Sequence, residues 1–399
     1  MLERNWPVVA GAGMTPFGRA LDRSLADLAA EAVGRALADA KLGLDEVQAV
    51  FAGNSAAGIV TGQESIRGQV ALKGAGVRAI PVVNVENACA TGSTAIHMAD
   101  AYIRAGFAEL VLVVGYEKMH HADKLVPLKA LEGCSDVVEL ESLKDELGLD
   151  PSRSVFMDIY VRKVRKSMVG GALQRRHFAM VAAKNHCNGA LNPYAQFRKP
   201  LTVDDVLAAR MIVDPLSLMM CSPISDGAAA VVLCSPAFAR SRGLVGPRLA
   251  GTAISMDRVD EGPSQMRAVA CTSYARAEVT AADVDLAEVH DATAPGEIFA
   301  YEDLGLAEEG QGWRLLDDGA TSLGGRTPVN PSGGLLARGH PIGATGVAQI
   351  CELTWQMRGE AEGRQVKRAR VGVAHTAGGS AAIAAPHGGA ALSVAVLRS

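Results

Sequence analysis

The 399-residue chain reads as an α/β protein made of two related halves with an inserted segment. Three observations predict this. Apolar strand-like runs alternate with alanine-rich helical stretches, one short pattern occurs twice in the same order, and a segment of different charge interrupts the first half. Aromatic residues make up only 4% of the chain, against 49% hydrophobic, which favours close helix-on-sheet packing over an all-β shell.

From the N-terminus, Ser24 to Leu42 carries Leu25, Leu28, Ala29, Ala32, Val33, Ala36 and Leu37 at helical spacing. Ser24 is the expected N-cap, with Asp27 three residues on. Val47 to Ala52 reads as a strand running into Gly53, Ile80 to Val85 as a β-branched strand, and Thr94 to Gly106 as a helix. Leu110 to Val114 is apolar throughout, the mark of a strand covered on both faces. The order then returns. Asp45 to Gly58 matches Asp283 to Gly296 in length and end residues, and Ala90-Thr-Gly-Ser-Thr-Ala-Ile96 matches Ala344-Thr-Gly-Val-Ala-Gln-Ile350. Each second match opens a helix leading to a strand, Leu110 to Val114 in one case and Arg370 to Ala374 in the other. Two ordered matches predict a duplicated unit.

The segment at roughly 117–220 differs from both halves. Glu117 to Asp150 holds nine acids and four bases, whereas Pro151 to Lys199 holds ten Lys/Arg and one acid, Asp158. Arg162, Lys163, Arg165, Lys166, Arg175, Arg176 and Lys184 gather there in a chain of net charge −4. Such a cluster suits either a solvated helix face or a pocket for a multiply phosphorylated ligand. Nucleic acid is an unfavoured partner, because the chain is mildly acidic and the segment lacks interleaved aromatics. No apolar run reaches the roughly 20 residues of a membrane helix. No signal peptide is expected at Met1-Leu2-Glu3-Arg4-Asn5, nor a peroxisomal tripeptide at Leu397-Arg398-Ser399. The seven cysteines form no C-x-x-C pair, so neither a disulfide framework nor a metal site is expected, and a reducing cytoplasm fits.

Two loops carry chemistry. Asn84-Val-Glu-Asn-Ala-Cys89-Ala-Thr-Gly-Ser sets a cysteine where a strand turns into a helix, so free amides and the helix dipole favour thiolate and oxyanion. Ala88, Ala90 and Gly92 are small enough for substrate to approach the backbone. A nucleophilic thiol needs a base, and His340 lies in Asn330-Pro-Ser-Gly-Gly-Leu-Leu-Ala-Arg-Gly-His-Pro-Ile-Gly-Ala-Thr-Gly346, the corresponding part of the second half. Duplication would bring the two loops to one cleft.

These motifs, together with Val373-Ala-His-Thr-Ala-Gly-Gly379, resemble the three signature regions of the thiolase superfamily. Asn192-Pro-Tyr-Ala-Gln-Phe-Arg198, Cys221-Ser-Pro-Ile-Ser-Asp-Gly227, His290-Asp-Ala-Thr293 and Ala300-Tyr-Glu-Asp-Leu-Gly-Leu306 resemble its sterol-carrier-protein-x branch. The resemblance implies two duplicated five-stranded mixed-sheet α/β halves packed in five layers, with an inserted loop domain. Expected limits are 1–243 for the half with Cys89, including a coenzyme A-binding loop domain at about 117–220, and 244–399 for the half with His290, His340 and His375.

Carried onto this sequence, the resemblance makes Cys89 the acyl-carrying nucleophile and His340 its activating base. Backbone amides of Cys89, Ala377 and Gly378 would hold one oxyanion, and His340 with His290 the other. Ser222 would contact pantetheine, and Arg162, Lys163 and Arg165 the nucleotide end of coenzyme A. No permanently bound cofactor is implied. Coenzyme A is a co-substrate, the expected core is a homodimer, and a small zinc-ribbon/OB-fold subunit is an expected partner.

The chain departs from the family in one respect. Most thiolases carry a second cysteine where this chain has His375-Thr-Ala-Gly, and the sterol-carrier-protein-x branch carries it where this chain has Ala292. His375 is the expected replacement acid/base, with His290 or water as rivals. The expected reaction is coenzyme A-dependent cleavage of a bulky or aromatic β-oxoacyl-CoA such as benzoylsuccinyl-CoA. The alternatives are a thiolase-like retro-aldolase and a non-catalytic scaffold.

Overall fold

The computed structural model describes residues 5–150, 152–258, 264–383 and 389–399. The strands of its main sheet are β1 (Val8–Met14), β2 (Ala49–Gly53), β3 (Val82–Val85), β4 (Leu110–Glu117), β5 (Gly227–Cys234), β6 (Arg248–Ser255), β7 (Leu286–Glu288), β8 (Val371–Ser380) and β9 (Gly389–Arg398); Met211–Val213 and Leu216–Ser217 pair in a separate small ribbon. The helices that matter here are α1 (Leu25–Ala40), α2 (Thr91–Arg104), α3 (Val155–Ser167), α4 (Arg175–Ala190), α5 (Gln265–Ala277), α6 (Ala294–Asp303) and α7 (Thr345–Arg358).

Local chemistry sets the boundaries. Ser24 Oγ accepts the Asp27 amide at 3.1 Å while Asp27 Oδ2 accepts the Ser24 amide at 2.9 Å, a reciprocal cap that starts α1 where the sequence places it. The strand expected from Val47 begins instead at Ala49, because the Val47 amide closes a 3₁₀ turn onto Leu44 O at 3.2 Å. The helix expected from Thr94 begins at Thr91, directly after a 3₁₀ turn over Ala88–Ala90.

The strands run in the order β3-β2-β4-β5-β1-β6-β9-β8-β7. The order is its own mirror image. β2–β4 and β7–β8 are parallel, β4–β5 and β8–β9 antiparallel, and β1–β5 and β6–β9 antiparallel. β3 has its counterpart in a single parallel bridge of Val329 to Ala287 on β7. The half-sheets meet where Val8 pairs with Arg248.

Helices α2 and α7, each 14 residues long, lie between the half-sheets. α1 covers one outer face, with Leu28, Ala32 and Ala36 against Val50, Leu112 and Val232. α5 and α6 cover the other, with Val269, Ala270 and Ile298 against Val373 and Val394. The result is helix, sheet, helix pair, sheet, helix. The repeated Ala-Thr-Gly marks the place where the central helices touch: a Cβ on Gly346 would strike the Ser93 amide and one on Gly92 would lie 2.9 Å from Gly343 O. Gly92 therefore serves the helix crossing rather than the approach of substrate expected from the sequence. Between β4 and β5 the chain leaves the sheet and builds α3 and α4, which pack over the C-terminal side of the site. Among the described residues no helix is long and apolar enough to cross a membrane.

Candidate active site

The turn from β3 into α2 holds Cys89, and Ala88 before it takes a left-handed φ of 47° that an alanine adopts only at a cost. The equivalent turn into α7 holds His340. Cys89 Sγ and His340 Nε2 stand 3.3 Å apart, and both residues are buried. Thr345 Oγ1 lies 2.7 Å from His340 Nδ1 and donates its own proton to Pro341 O at 3.0 Å. The hydroxyl therefore accepts from Nδ1–H, and this assigned tautomer leaves the Nε2 lone pair facing the thiol.

Burial pushes the Cys89 thiol up and the His340 imidazole down to about 3, because the enclosed site disfavours either charge. Thiol and imidazole thus meet as neutral groups, and a proton can pass along the 3.3 Å contact as sulfur attacks carbon. The amide that reaches the Cys89 sulfur belongs to Gly379, one residue beyond Ala377 and Gly378. Gly378 lies against the same turn, where a Cβ would collide with Asn87 O and the Ala90 amide.

His290 stands edge-on to His340, with ring centroids 5.2 Å apart and planes at 80°. One donor atom each of Cys89, His290 and His340 lie within 4.8 Å of one another. Both ring nitrogens of His290 are buried without a hydrogen-bond partner. His375, on β8, sits behind it: its Nδ1 accepts the His290 amide at 3.3 Å, and its Nε2 is unpartnered. Burial lowers both imidazoles, that of His375 to about 4, so each is neutral near pH 7.

A cavity of ≈ 290 Å³ opens on Cys89 and His340. Its walls are mainly apolar: Met119, Phe156, Met157, Tyr160, Phe197, Met219, Ala292 and Ile342. Ser222 also lines it, and its amide donates to Ala292 O at 3.0 Å. Arg162, Lys163 and Arg165 do not line it. They project from the exposed face of α3, whose opposite face supplies Phe156, Met157 and Tyr160. Arg162 Nη1 donates to Ile383 O at 3.3 Å, Arg165 Nη2 to Asp214 O at 2.7 Å, and Lys163 lies 4.7 Å from the Phe299 ring centroid. The basic segment is not one pool of free cations, because Lys184 is buried in an ion pair with Glu297 at 2.9 Å and Arg175 donates to Leu207 O and Pro215 O. A larger cleft of ≈ 670 Å³ lies at the opposite ends of β7 and β8, lined by Asp285, Arg326, Arg368 and Arg370, away from these groups.

Several supporting residues escape sequence reasoning. Glu117, fully buried at the end of β4, accepts the amides of Ser55, Ala56 and Gly343, each at 3.0 Å, and Asn54 Nδ2 at 2.8 Å. It therefore ties the loop after β2 in one half to the histidine loop of the other, and burial raises its carboxyl to about 7. Ser225 Oγ accepts the His340 amide at 2.9 Å and donates to Gln196 Oε1 at 2.6 Å. Asp291 accepts the Leu335 amide at 2.6 Å, and Arg338 pairs with Glu288 at 3.0 Å beneath the histidine loop. Only a D-G or G-H dipeptide next to these residues could have flagged them.

Comparison with known proteins agrees with this architecture. Residues 7–237 match the family described as "Thiolase, N-terminal domain", and residues 252–387 match "Thiolase C-terminal domain-like". The chain is 39% identical over 386 residues to an acetyl-CoA acetyltransferase of Methanothermobacter thermautotrophicus, covering 95% of this chain and 98% of that protein. It is 37% identical to sterol carrier protein 2 of Bos taurus, covering 94% of this chain and 70% of that protein. It is 32% identical to the benzoylsuccinyl-CoA thiolase subunit BbsB of Thauera aromatica, covering 93% and 94%. The solved Ltp2-ChsH2(DUF35) aldolase superposes with a TM-score of 0.80 at 23% identity, covering 99% of this chain and 98% of that one, a likeness of fold. With both thiolase domains matched along nearly its whole length, the chain belongs to the thiolase family of acyltransferases.

Proposed function

We propose that the chain cleaves a β-oxoacyl-CoA with coenzyme A through an acyl group carried on Cys89. The observation that carries this reading is the 3.3 Å contact of Cys89 Sγ with His340 Nε2 at the head of an apolar cavity. His340 takes the thiol proton as sulfur adds to the β-carbonyl carbon. The resulting oxyanion is assigned to backbone amides of Cys89 and the 377–379 segment, of which that of Gly379 reaches the Cys89 sulfur. Collapse breaks the carbon–carbon bond and releases an acyl-CoA enolate, which needs one proton. The proton that His340 took from the thiol can reach the enolate carbon through His290, the better placed of the two histidines, being beside Cys89 and His340, while His375 contacts it from behind. The thiol of coenzyme A then gives its proton to His340 and attacks the acyl-enzyme, and that proton returns to the Cys89 sulfur as it leaves.

The apolar, aromatic-walled cavity supports a bulky or aromatic acyl group, and the BbsB relative is named for such a substrate. Ser222 is assigned to pantetheine, and Arg162, Lys163 and Arg165, outside the cavity, to the nucleotide end. Reversing any of these three charges should raise KM for coenzyme A more than it lowers kcat. In this reading residues 1–243 form the nucleophile half, with the segment at about 117–220 as its loop domain, and 244–399 the base half.

A cytoplasmic homodimer is the expected assembly. Edge strand β3, with Val83 exposed beside exposed Ile66 and Val70, supports pairing with a second copy. The word "subunit" in one relative's name and the DUF35 component in the aldolase support a small additional partner.

The aldolase also supports a second reading, retro-aldol cleavage, which does not need Cys89. Purified chain, alone and with a co-expressed small zinc protein, is incubated with β-oxoacyl-CoAs with and without free coenzyme A. Cleavage only with added coenzyme A supports thiolysis. Cleavage without it supports the aldolase, and none under any condition supports a scaffold.

A further inference from the structure

Two residues of the cavity lining, Cys89 and His340, form with the buried His290 behind them a set of donors whose chemistry is not limited to acyl transfer. Cys89, His290 and His340 come from three separate segments, and their sulfur and ring nitrogens lie within 4.8 Å of one another. All three residues are less than a tenth exposed. Zinc holds thiolate at ~2.3 Å and imidazole at ~2.0 Å in a tetrahedron, which sets donor atoms roughly 3.3 to 3.6 Å apart. The sulfur and His340 Nε2 already stand at 3.3 Å.

Two further observations point to a ligand. Among the described residues His290 has no hydrogen-bond partner on either ring nitrogen, so in either neutral tautomer it buries a lone pair with no donor facing it. His340 has its other nitrogen engaged by Thr345 Oγ1 at 2.7 Å, the kind of outer contact that fixes a metal-binding imidazole. The cavity, lined by Cys89 and His340, supplies the way in.

We propose that Cys89, His290 and His340 bind one soft divalent cation, Zn²⁺ or Co²⁺, and that this reversibly blocks the nucleophile. On binding, the Cys89 S–H bond breaks, a sulfur–metal bond forms and one proton passes to solvent; no electrons are transferred. The metal takes the lone pair of His340 and the sulfur of Cys89 together, so a bound protein has neither base nor nucleophile. The loss of turnover rests on the acyl-transfer reading above, whereas the site itself does not.

The test is a Co²⁺ titration of the chelator-treated full chain. One equivalent should give the thiolate-to-cobalt charge-transfer absorption and the intense visible bands of a tetrahedral ion. Equimolar Zn²⁺ should abolish both. Zn²⁺ should also slow iodoacetamide labelling of Cys89, read by peptide mass spectrometry, by about 10-fold or more, and EDTA should restore it. Cys89→Ser should lose the charge-transfer absorption, whereas Cys134→Ser and Cys221→Ser should keep it. His290→Asn should bind Co²⁺ at least about 100-fold more weakly, with protection compared with and without Zn²⁺ inside that variant. His340→Asn gives a second ligand variant should His290→Asn fail to fold. Charge transfer that survives Cys89→Ser or a folded ligand variant overturns the proposal, as does a wild-type chain that Zn²⁺ does not protect. A chain that binds cobalt but shows no thiolysis when metal-free keeps the metal site and refutes the acyl-transfer reading instead.

Discussion

The turn at 86–90 and the turn at 340–344 occupy equivalent places ahead of the two central helices, yet they are held differently. Apart from those to the Cys89 sulfur, the hydrogen bonds of the first come from its own half, including Asn87 Nδ2 to Thr94 Oγ1 at 3.0 Å and Ser55 Oγ to Glu86 Oε1 at 2.9 Å. Its Asn87 amide donates to Thr91 Oγ1 at 2.8 Å, its Ala88 amide to Glu86 Oε1 at 2.7 Å, and Ala88 sits at a strained φ of 47°. The second is gripped by Ser225, Thr345 and Glu117, with the Arg338–Glu288 pair beneath it. Glu86 and His340 hold matching positions in the two turns, one a local brace and the other a base. The contrast shows a division of labour imposed on a duplicated plan. The nucleophile needs only to be set at a sharp bend facing the cavity, whereas the base must keep one tautomer and one orientation, which takes buried hydrogen bonds.

The comparison can be broken most severely at Cys89. Cys89→Ser keeps the bend but replaces thiol by alcohol, and thiolysis should fall by about 10³-fold or more, because an alcohol is a far weaker nucleophile near pH 7. Iodoacetamide should label Cys89 ahead of the other buried cysteines, Cys234 and Cys351, because His340 can take its proton as sulfur reacts. Equal labelling of these three with an active serine variant would remove the distinction between the turns.

The next effect lies at the crossing. Gly346→Ala would drive a methyl group into the backbone at Gly92 and Ser93, and should cost about 3 kcal/mol in urea unfolding. Gly34→Ala on α1, where nothing lies within 4 Å, should stabilise by about 0.5–1 kcal/mol. A harmless Gly346→Ala would show that the helices can separate.

Thr345→Val tests the tautomer. Without an acceptor for Nδ1–H, kcat/KM should drop about 10- to 100-fold and Thr345→Ser should recover most of it. An unchanged valine variant would mean that the histidine loop is oriented without Thr345.

Acid should separate the halves more gently. Burial holds His340 at about 3, with His375 and His186 at about 4, all below an unfolded value of about 6.5. Protons then bind the unfolded chain first. Stability is full above about pH 6.5 and declines as pH falls towards 3 to 4, by up to about 1.4 kcal/mol per pH unit for each such histidine. His186→Phe, which removes one of them beside Phe197, should make urea stability measured between pH 6 and 5 less steep by about that amount. An identical slope would show that His186 protonates freely in the folded protein.

The halves, the repeated Ala-Thr-Gly and the Cys89–His340 pairing were legible because each leaves a local mark: an apolar run, a repeat or a glycine-dense loop. The grip on the base was not. The Glu117 contact to Gly343 spans 226 positions and the Ser225 contact to His340 spans 115, so nothing near either residue announces its partner. The charges of the inserted segment were legible as charges but not as roles. Composition cannot separate Lys184, buried against Glu297, from Lys163 at the surface. The left-handed Ala88 is equally silent, since alanine carries no turn signal.

The pairing of Cys89 with His340 joins residues 251 positions apart, one from each half. Neither half alone therefore contains a competent site, however well its own helices and strands have formed. Contacts so distant in sequence form late, after the cost of closing a long loop has been met. During refolding from urea, helical signal should return before selective labelling of Cys89 does. The reactivity of that one thiol then serves as a clock for the docking of the two halves.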